Sequence, residues 1–380
     1  MILRISLLLL LLLTLPAAYI YRHTKSRAWR ALLLTPNALL LAATVYLACS
    51  DHKINENAPF VAVYLAALLA ITLPEALYAI FAGIGGLFKR PTMRRAGKVV
   101  GGVAAAATVA GLVVAVATCF RAPRVNRHTF KSADLPKAFD GYKIVQISDL
   151  HLGTFVFHPK TVSKIVRAVN AEDADLVAFT GDLVNFDSNE IEPFRKDLAA
   201  IKAKDGVVAV MGNHDYLMYV KFKGDPGNAR HIATLQNEER AAGWKLLLNS
   251  HTTVKRGNDS IVVAGSENDG KKPFPARGDL GKALQGTAKG SFKLLLTHDP
   301  SQWRRKVLPQ TDIQLTLSGH THAGQVKILG RSPSEIAYKE WNGLYYSGRR
   351  AIHVSSGLGE ALVPLRLGAE PCIDVITLKR

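Results

Sequence analysis

The chain has 380 residues, 48% of them apolar, with 48 Lys and Arg against 30 Asp and Glu and a formal net charge of +18. Three widely spaced Cys exclude a disulfide framework and a Cys-ligated zinc site. The charge invites a nucleic-acid partner, but its distribution argues against one: residues 1–131 carry 15 Lys and Arg against 3 acids, and the rest carries 33 against 27.

Four charge-poor stretches fill the first third: 5–21, 31–50, 57–88 (interrupted only by Glu75) and 99–120. Each is near or above the roughly 18–20 residues that carry a helix across a bilayer, where backbone hydrogen bonds must close internally. The pattern predicts four transmembrane helices over residues 1–120. Loop 22–30 holds Arg22, Lys25, Arg27 and Arg30, and loop 89–98 holds Lys89, Arg90, Arg94, Arg95 and Lys98. Loop 51–56 has only Lys53, against Asp51 and Glu56. Cations favour the cytoplasmic side. Both termini and the following domain are therefore expected on the outer, periplasmic face of a plasma (inner) membrane. A cleaved signal peptide is the rival reading of residues 1–18, around Pro16-Ala17-Ala18, but it would put both basic loops outside. Gly97, Gly101, Gly102, Ala106 and Ala110 suit close helix packing. Glu75 is read as a polar contact inside the bundle.

Residues 121–140 read as a juxtamembrane linker and 141–380 as a globular domain. Strands are expected at 143–148, 176–180 and 207–211, with helices at 160–170, 190–203 and 228–242 between and after them. Further strands are expected at 261–264, 292–297, 313–318, 325–328, 352–355 and 373–378. Alternation followed by strand-rich sequence indicates a layered α/β domain with two sheets.

The motifs sit at strand ends. Asp149-Leu150-His151, Gly181-Asp182 and Gly212-Asn213-His214-Asp215 each follow a predicted strand, and Asp149, Asp182 and Asn213 are 33 and 31 residues apart, the length of successive βαβ units. Thr297-His298 and Gly319-His320-Thr321-His322 follow later strands. Parallel strands gather such residues on one edge. Two carboxylates, one Asn and four His without thiolate form a donor set for two divalent metal ions such as Mn, Fe or Zn. Two cations neutralise phosphate oxygens and lower the pKa of a water, which is what phosphoester cleavage needs. Each motif alone is weak evidence; the ordered set is not.

The series resembles the calcineurin-like metallophosphoesterase superfamily over about residues 143–380, and the Gly-His-Thr-His-Ala-Gly-Gln-Val segment with the N-terminal spans resembles its membrane-associated branch. The resemblance implies a four-layered α/β/β/α sandwich. It implies one metal held by Asp149, His151 and His322, a second completed by Asn213, His298 and His320, and Asp182 bridging them. His214 is implied as general acid or phosphate contact, oriented by Asp215.

The loop Tyr216–Lys223, apolar then cationic, suits a lipid phosphate or the membrane surface, with Trp341, Tyr345 and Tyr346 as further rim. His158 and His353 are read as structural, with His158 near enough to the first motif to line the cleft, and Arg304-Arg305-Lys306 and Arg349-Arg350 as solvated faces. The leading reading is a membrane-tethered phosphodiesterase or phosphatase acting on a lipid-linked or envelope phosphoester. Resemblance to UDP-2,3-diacylglucosamine pyrophosphate hydrolases of lipid A synthesis gives an alternative, and a non-catalytic membrane sensor or scaffold another.

Overall fold

The computed structural model describes residues 2–49, 58–361 and 363–380. The chain divides into two compact units, residues 1–117 with 362–365 and residues 118–361 with 366–380.

The first unit is built from α1 (Ile2–His23), α2 (Arg27–Ala48), α3 (Ala58–Leu87) and α4 (Pro91–Cys119). Among the described residues, three helices are long and apolar enough to cross a membrane: those spanning Arg27–Leu47, Phe60–Leu87 and Pro91–Cys119. Helix α1 covers the first expected span and is not among the three. The expected loop 51–56 lies outside the described residues. Leu13, Leu40, Tyr64 and Leu68 pack together inside the unit. Many large apolar side chains face outward instead, including Leu32, Val63, Val103 and Val113, as expected where the surroundings are lipid rather than water.

Two sequence features of this unit take physical form. Asn37 Nδ2 on α2 donates to both Glu75 oxygens on α3, at 3.0 and 3.1 Å, so Glu75 does make a polar contact between helices. A Cβ on Gly97 would lie 2.6 Å from Phe81 O and 2.8 Å from Gly85 Cα. The backbones of α3 and α4 touch there, and only glycine fits.

The second unit holds two six-stranded sheets. The strands are β1 (Arg124–Lys131), β2 (Lys143–Ile147), β3 (Leu176–Phe179), β4 (Val207–Ala209), β5 (Lys245–Leu246), β6 (Ser250–Arg256), β7 (Asp259–Gly265), β8 (Lys293–Leu296), β9 (Leu315–Ser318), β10 (Gly343–Ser347), β11 (Arg350–Val354) and β12 (Cys372–Lys379). The first sheet runs β1-β12-β2-β3-β4-β5, with β2 to β5 parallel and β12 antiparallel to β2. The second runs β10-β11-β9-β8-β7-β6, parallel at its centre and antiparallel at both edges.

Strands β2, β3, β8 and β9 are buried on both faces; β3 and β8 are correspondingly apolar on successive residues, whereas Gln146 of β2 and Thr316 and Ser318 of β9 are buried polar side chains. Between the sheets, Ile144, Leu176, Ala178 and Ile376 of the first join Val263, Leu294, Leu296 and Leu317 of the second in one core. Behind the second sheet, Ala264, Leu295, Ile352 and Val354 pack on Trp303, Val307 and Ile313. Helix α5 (Lys160–Ala171) buries Val162, Ile165, Val166 and Val169, one stripe of its surface. A single turn, α6 (Arg195–Ala199), and a longer helix, α7 (Ala229–Ala241), follow.

Some expected elements differ. Residues 190–203 are not one helix: a 3-10 turn Ser188–Phe194 precedes the single turn α6, because Pro193 interrupts the run. Residues 325–328 make only isolated bridges at Val326 and Ile328. Arg124–Lys131, within the expected linker, is an edge strand paired with β12 in full register; its exposed cations masked its alternation.

Candidate metal centre

Five loops deliver the motif residues to one place. Asp149, Asp182 and Asn213 stand two to four residues beyond β2, β3 and β4; His298 and His320 follow β8 and β9. The loops are stitched together by hydrogen bonds. Asp149 N–H donates to Gly181 O at 2.9 Å, His151 N–H to Asp182 O at 3.1 Å and Gly319 N–H to His298 O at 3.0 Å. Such close approach explains a glycine: a Cβ at Gly319 would collide with Ser148 and the Asp149 carboxylate. Asp149, His151, Asp182, His320 and His322 all have positive φ, from 45° to 75°. Left-handed backbone at non-glycine residues costs of order 1–3 kcal/mol each and clusters where function needs it.

The side chains form two clusters sharing one carboxylate. In the first, His151 Nε2 and His322 Nε2 are 3.1 Å apart, and His322 Nε2 is 3.3 Å from Asp149 Oδ1. In the second, His320 Nδ1 lies 2.7 Å from Asn213 Oδ1 and 3.2 Å from His298 Nε2. Asp182 Oδ1 accepts the His214 N–H at 2.8 Å. Its other oxygen, Oδ2, is 3.0 Å from His298 Nε2 and 3.6 Å from His151 Nε2. One oxygen therefore faces both clusters.

The donors fit a pair of cations. Two nitrogens ~2.1 Å from one ion, at angles of 90–110°, lie about 3.0–3.4 Å apart. His298 Nδ1 is 2.8 Å from Thr180 O, a pure acceptor, so Nδ1 carries hydrogen and Nε2 is the nitrogen open to a metal. Asn213 Nδ2 donates to Tyr219 OH at 3.0 Å, which turns its Oδ1 toward His320. Tyr338 OH, 2.7 Å from His320 Nε2, fixes that ring. Burial would raise the Asp182 pKa, but His298 and His214 hold it well below the carboxylate range. Burial opposes charge on His298 too, yet Asp182 and Asp149 lift it to about 10. Left to protons alone, the cluster balances its buried negative charge on His298; metal would displace that proton.

His214 is placed beside both clusters, its ring 4.7 Å from His151 and 4.5 Å from Tyr219. Its Nδ1 is 2.8 Å from Asn185 O, so the hydrogen sits on Nδ1 and Nε2 is left to exchange protons. The orienting partner is thus the Asn185 carbonyl and not Asp215, a correction to the sequence expectation. Asp215 points the other way. It accepts N–H bonds from Asp182, Leu183 and Gly212 at 2.8 Å each. Burial and the Asp182 charge push it up to about 7, against those bonds. It clamps the backbone that carries the shared carboxylate.

Several contributors escaped the sequence reading. Glu190 accepts N–H bonds from Gly153, Asn185, Phe186 and Asp187 at 2.6 to 3.2 Å, fixing the carbonyl that holds His214. Its Asp187-x-x-Glu190 capping spacing was the available signal. Tyr338 had none. Tyr219 sits in the loop read as membrane-facing, yet Tyr216, Leu217 and Val220 there are buried, with Tyr216 OH donating to Glu267 at 2.7 Å. His158 stacks on Phe120, with centroids 4.0 Å apart. Arg304 pairs with Glu340, and Arg305 and Lys306 with buried Asp269, so that basic run is not a solvated face.

The calcineurin-like phosphoesterase family profile matches residues 142–324, from the start of β2 to the end of the Gly-His-Thr-His motif. The chain is 32% identical over 266 residues to "Uncharacterized metallophosphoesterase YkuE" of Bacillus subtilis, covering 67% of this chain and 85% of that one. This chain belongs to the calcineurin-like phosphoesterase family. Another family member, "Transmembrane protein with metallophosphoesterase domain" of Danio rerio, is 30% identical over 289 residues, 73% of this chain and 61% of its own length. A solved structure described as a dimetal phosphatase, also from Danio rerio, is matched at 12% identity and a TM-score of 0.35, over 58% of this chain and 88% of that one. The family profile ends at Gly324. All nine residues singled out from the motifs fall inside it, whereas Tyr338 lies beyond.

Proposed function

We propose that this chain is a membrane-anchored, metal-dependent phosphoesterase. The observation that carries the proposal is the meeting of two donor clusters at a single Asp182 oxygen. Asp149, His151 and His322 would hold one divalent cation, Asn213, His298 and His320 would hold the other, and Asp182 would serve both. Mn, Fe and Zn suit such mixed oxygen and nitrogen donors. The cations supply charge neutralisation for the phosphoryl oxygens and a more acidic water.

The chain's own residues do the rest. Protonated on both nitrogens, His214 keeps its Nδ1 hydrogen on Asn185 O and gives the Nε2 proton to the leaving oxygen, returning to the neutral ring. Asn185 and Glu190 hold that ring in place. Asp215 keeps Asp182 aimed.

We read the architecture as the family's four-layered α/β/β/α sandwich, which begins at β1 rather than at residue 141, preceded by a membrane region, 1–120, in which α1 is a fourth span. The basic segments 22–30 and 89–98, which run into the starts of α2 and α4, support an inner-membrane orientation with the catalytic domain on the outer face. A lipid-linked or envelope phosphoester is the substrate class. Its support is no longer the loop after Asp215. Instead, segments just beyond metal-binding motifs expose apolar side chains: Phe157 after His151, and Leu329 and Ile336 after His322, at 64%, 97% and 92% of full exposure. A lipid surface would cover such a rim.

The test uses the full chain purified in detergent, supplied separately with Mn, Fe and Zn, and a chromogenic phosphodiester. Hydrolysis that disappears with metal content in Asp182→Ala is expected; no hydrolysis with any metal sinks the proposal. Replacing Leu329 and Ile336 by Asp should slow cleavage of a vesicle-embedded phosphoester and spare the soluble one. Equal effects on both would remove the lipid part alone.

A further inference from the structure

A second convergence of ligand-type side chains lies outside the motif loops. His128 on β1, His353 on β11 and Asp374 on β12 bring two imidazole nitrogens and a carboxylate oxygen within 4.8 Å of one another. His128 Nε2 and His353 Nε2 stand 3.7 and 3.8 Å from Asp374 Oδ1. The three residues belong to no phosphoesterase motif and touch none of the seven donors described above.

The protonation of His353 is fixed by its neighbours. Gln146 Nε2 donates to Ser318 O at 2.8 Å, and a carbonyl can only accept. The Gln146 oxygen must then face His353 Nδ1, 2.8 Å away, so that nitrogen carries the hydrogen. His353 Nε2 is left as a lone pair. It is buried, has no hydrogen-bond partner, and faces a carboxylate oxygen. Two acceptors aimed at each other inside a protein need a cation between them or pay for its absence.

We propose that His128, His353 and Asp374 form a structural site for a divalent transition metal of the zinc type, separate from the phosphoesterase centre. Two neutral imidazoles and a carboxylate are an ordinary zinc donor set, with water as fourth ligand. The ligands are held from behind, as metal ligands usually are. Asn126 Nδ2 donates to Asp374 Oδ1 at 3.0 Å, Ser355 Oγ to Oδ2 at 2.7 Å, and Gln146 orients His353. Ligand atoms around one zinc lie about 3.0–3.6 Å apart. The two His–Asp distances therefore close by a few tenths of an ångström, with His128, 24% exposed at its side chain, as the member free to move and the route for entry. The ion would tie β1 and β12 of one sheet to β11 of the other.

The test compares the full chain and its His128→Gln variant in detergent, each saturated with zinc, freed of excess and analysed for metal per chain. One zinc fewer is expected in the variant, with hydrolysis retained and with a smaller zinc-induced rise in Tm. Asp374→Asn should lose the same single equivalent, its fold checked by circular dichroism. Equal zinc content and equal Tm response in His128→Gln and the parent chain would overturn the site. Failure of the phosphoesterase reading would appear differently, as absent hydrolysis in the parent chain itself.

Discussion

Asp215→Asn separates two roles for the residue after His214. The parent carboxylate accepts Asp182 N–H and Gly212 N–H on Oδ2 and Leu183 N–H on Oδ1, each at 2.8 Å. The amide keeps only one oxygen. Its better orientation serves Asp182 and Gly212 and turns an NH2 group against the Leu183 N–H. One charge-assisted bond of about 1.5–3 kcal/mol is lost and two others fall to the neutral range of about 0.5–1.5 kcal/mol. Relief from burying a second carboxylate beside Asp182 offsets part of this. The net loss is about 2–4 kcal/mol. At roughly 2–4 °C per kcal/mol for a domain of this size, Tm falls by roughly 5–15 °C. Because the weakened bonds hold the backbone of Asp182, metal affinity falls too. The assays are thermal unfolding of the purified chain and metal per chain after gel filtration. Unchanged Tm and metal content with turnover lost would refute the clamp and return Asp215 to a direct partnership with His214.

Three further substitutions test other parts of the structure. His214→Ala should keep both metals and lose about 10²–10⁴ in turnover, most with poor leaving groups; parallel loss of metal would make His214 a ligand instead. Tyr219→Phe releases the Asn213 amide and should weaken one of two metal-binding steps by about 10–100-fold, so identical titration curves would dismiss the tether. Gly97→Leu places a side chain where Phe81 O and Gly85 Cα stand, 2.6 and 2.8 Å from the new Cβ, whereas Gly102 has nothing within 4 Å. Gly97→Leu should loosen the helical unit to proteolysis in detergent and Gly102→Leu should not; equal sensitivity would remove the packing argument.

The proposed metal donors were legible because each follows a strand, and strand ends are where a parallel sheet delivers its side chains. The roles of their supports were not. Asp215 adjoins His214 in sequence, but the turn after Asn213 sends the two side chains opposite ways, and adjacency says nothing about that. Asn185 acts through a backbone carbonyl, which any residue type supplies. The apolar residues of 216–220 looked like surface because cations follow them, yet Leu217 and Val220 fill the interior beneath the cleft. Strands β1, β6 and β10 were missed for one reason. They are edge strands whose outward faces carry Arg, Lys, His or Tyr, so their period of two lacks apolar contrast.

The pairing of β1 with β12 sets a timetable for synthesis. β1 follows the long apolar helix α4 directly in the sequence, but its partner emerges about 240 residues later. At ~5–20 residues per second, the ribosome takes roughly 10–50 s to cover that distance. Until then β1 and the outer edge of β2 stand open, because β12 lies between them. The chain's final strand is thus the keystone of its first sheet, and a nascent protein cut short before Cys372 is left with two adhesive edges.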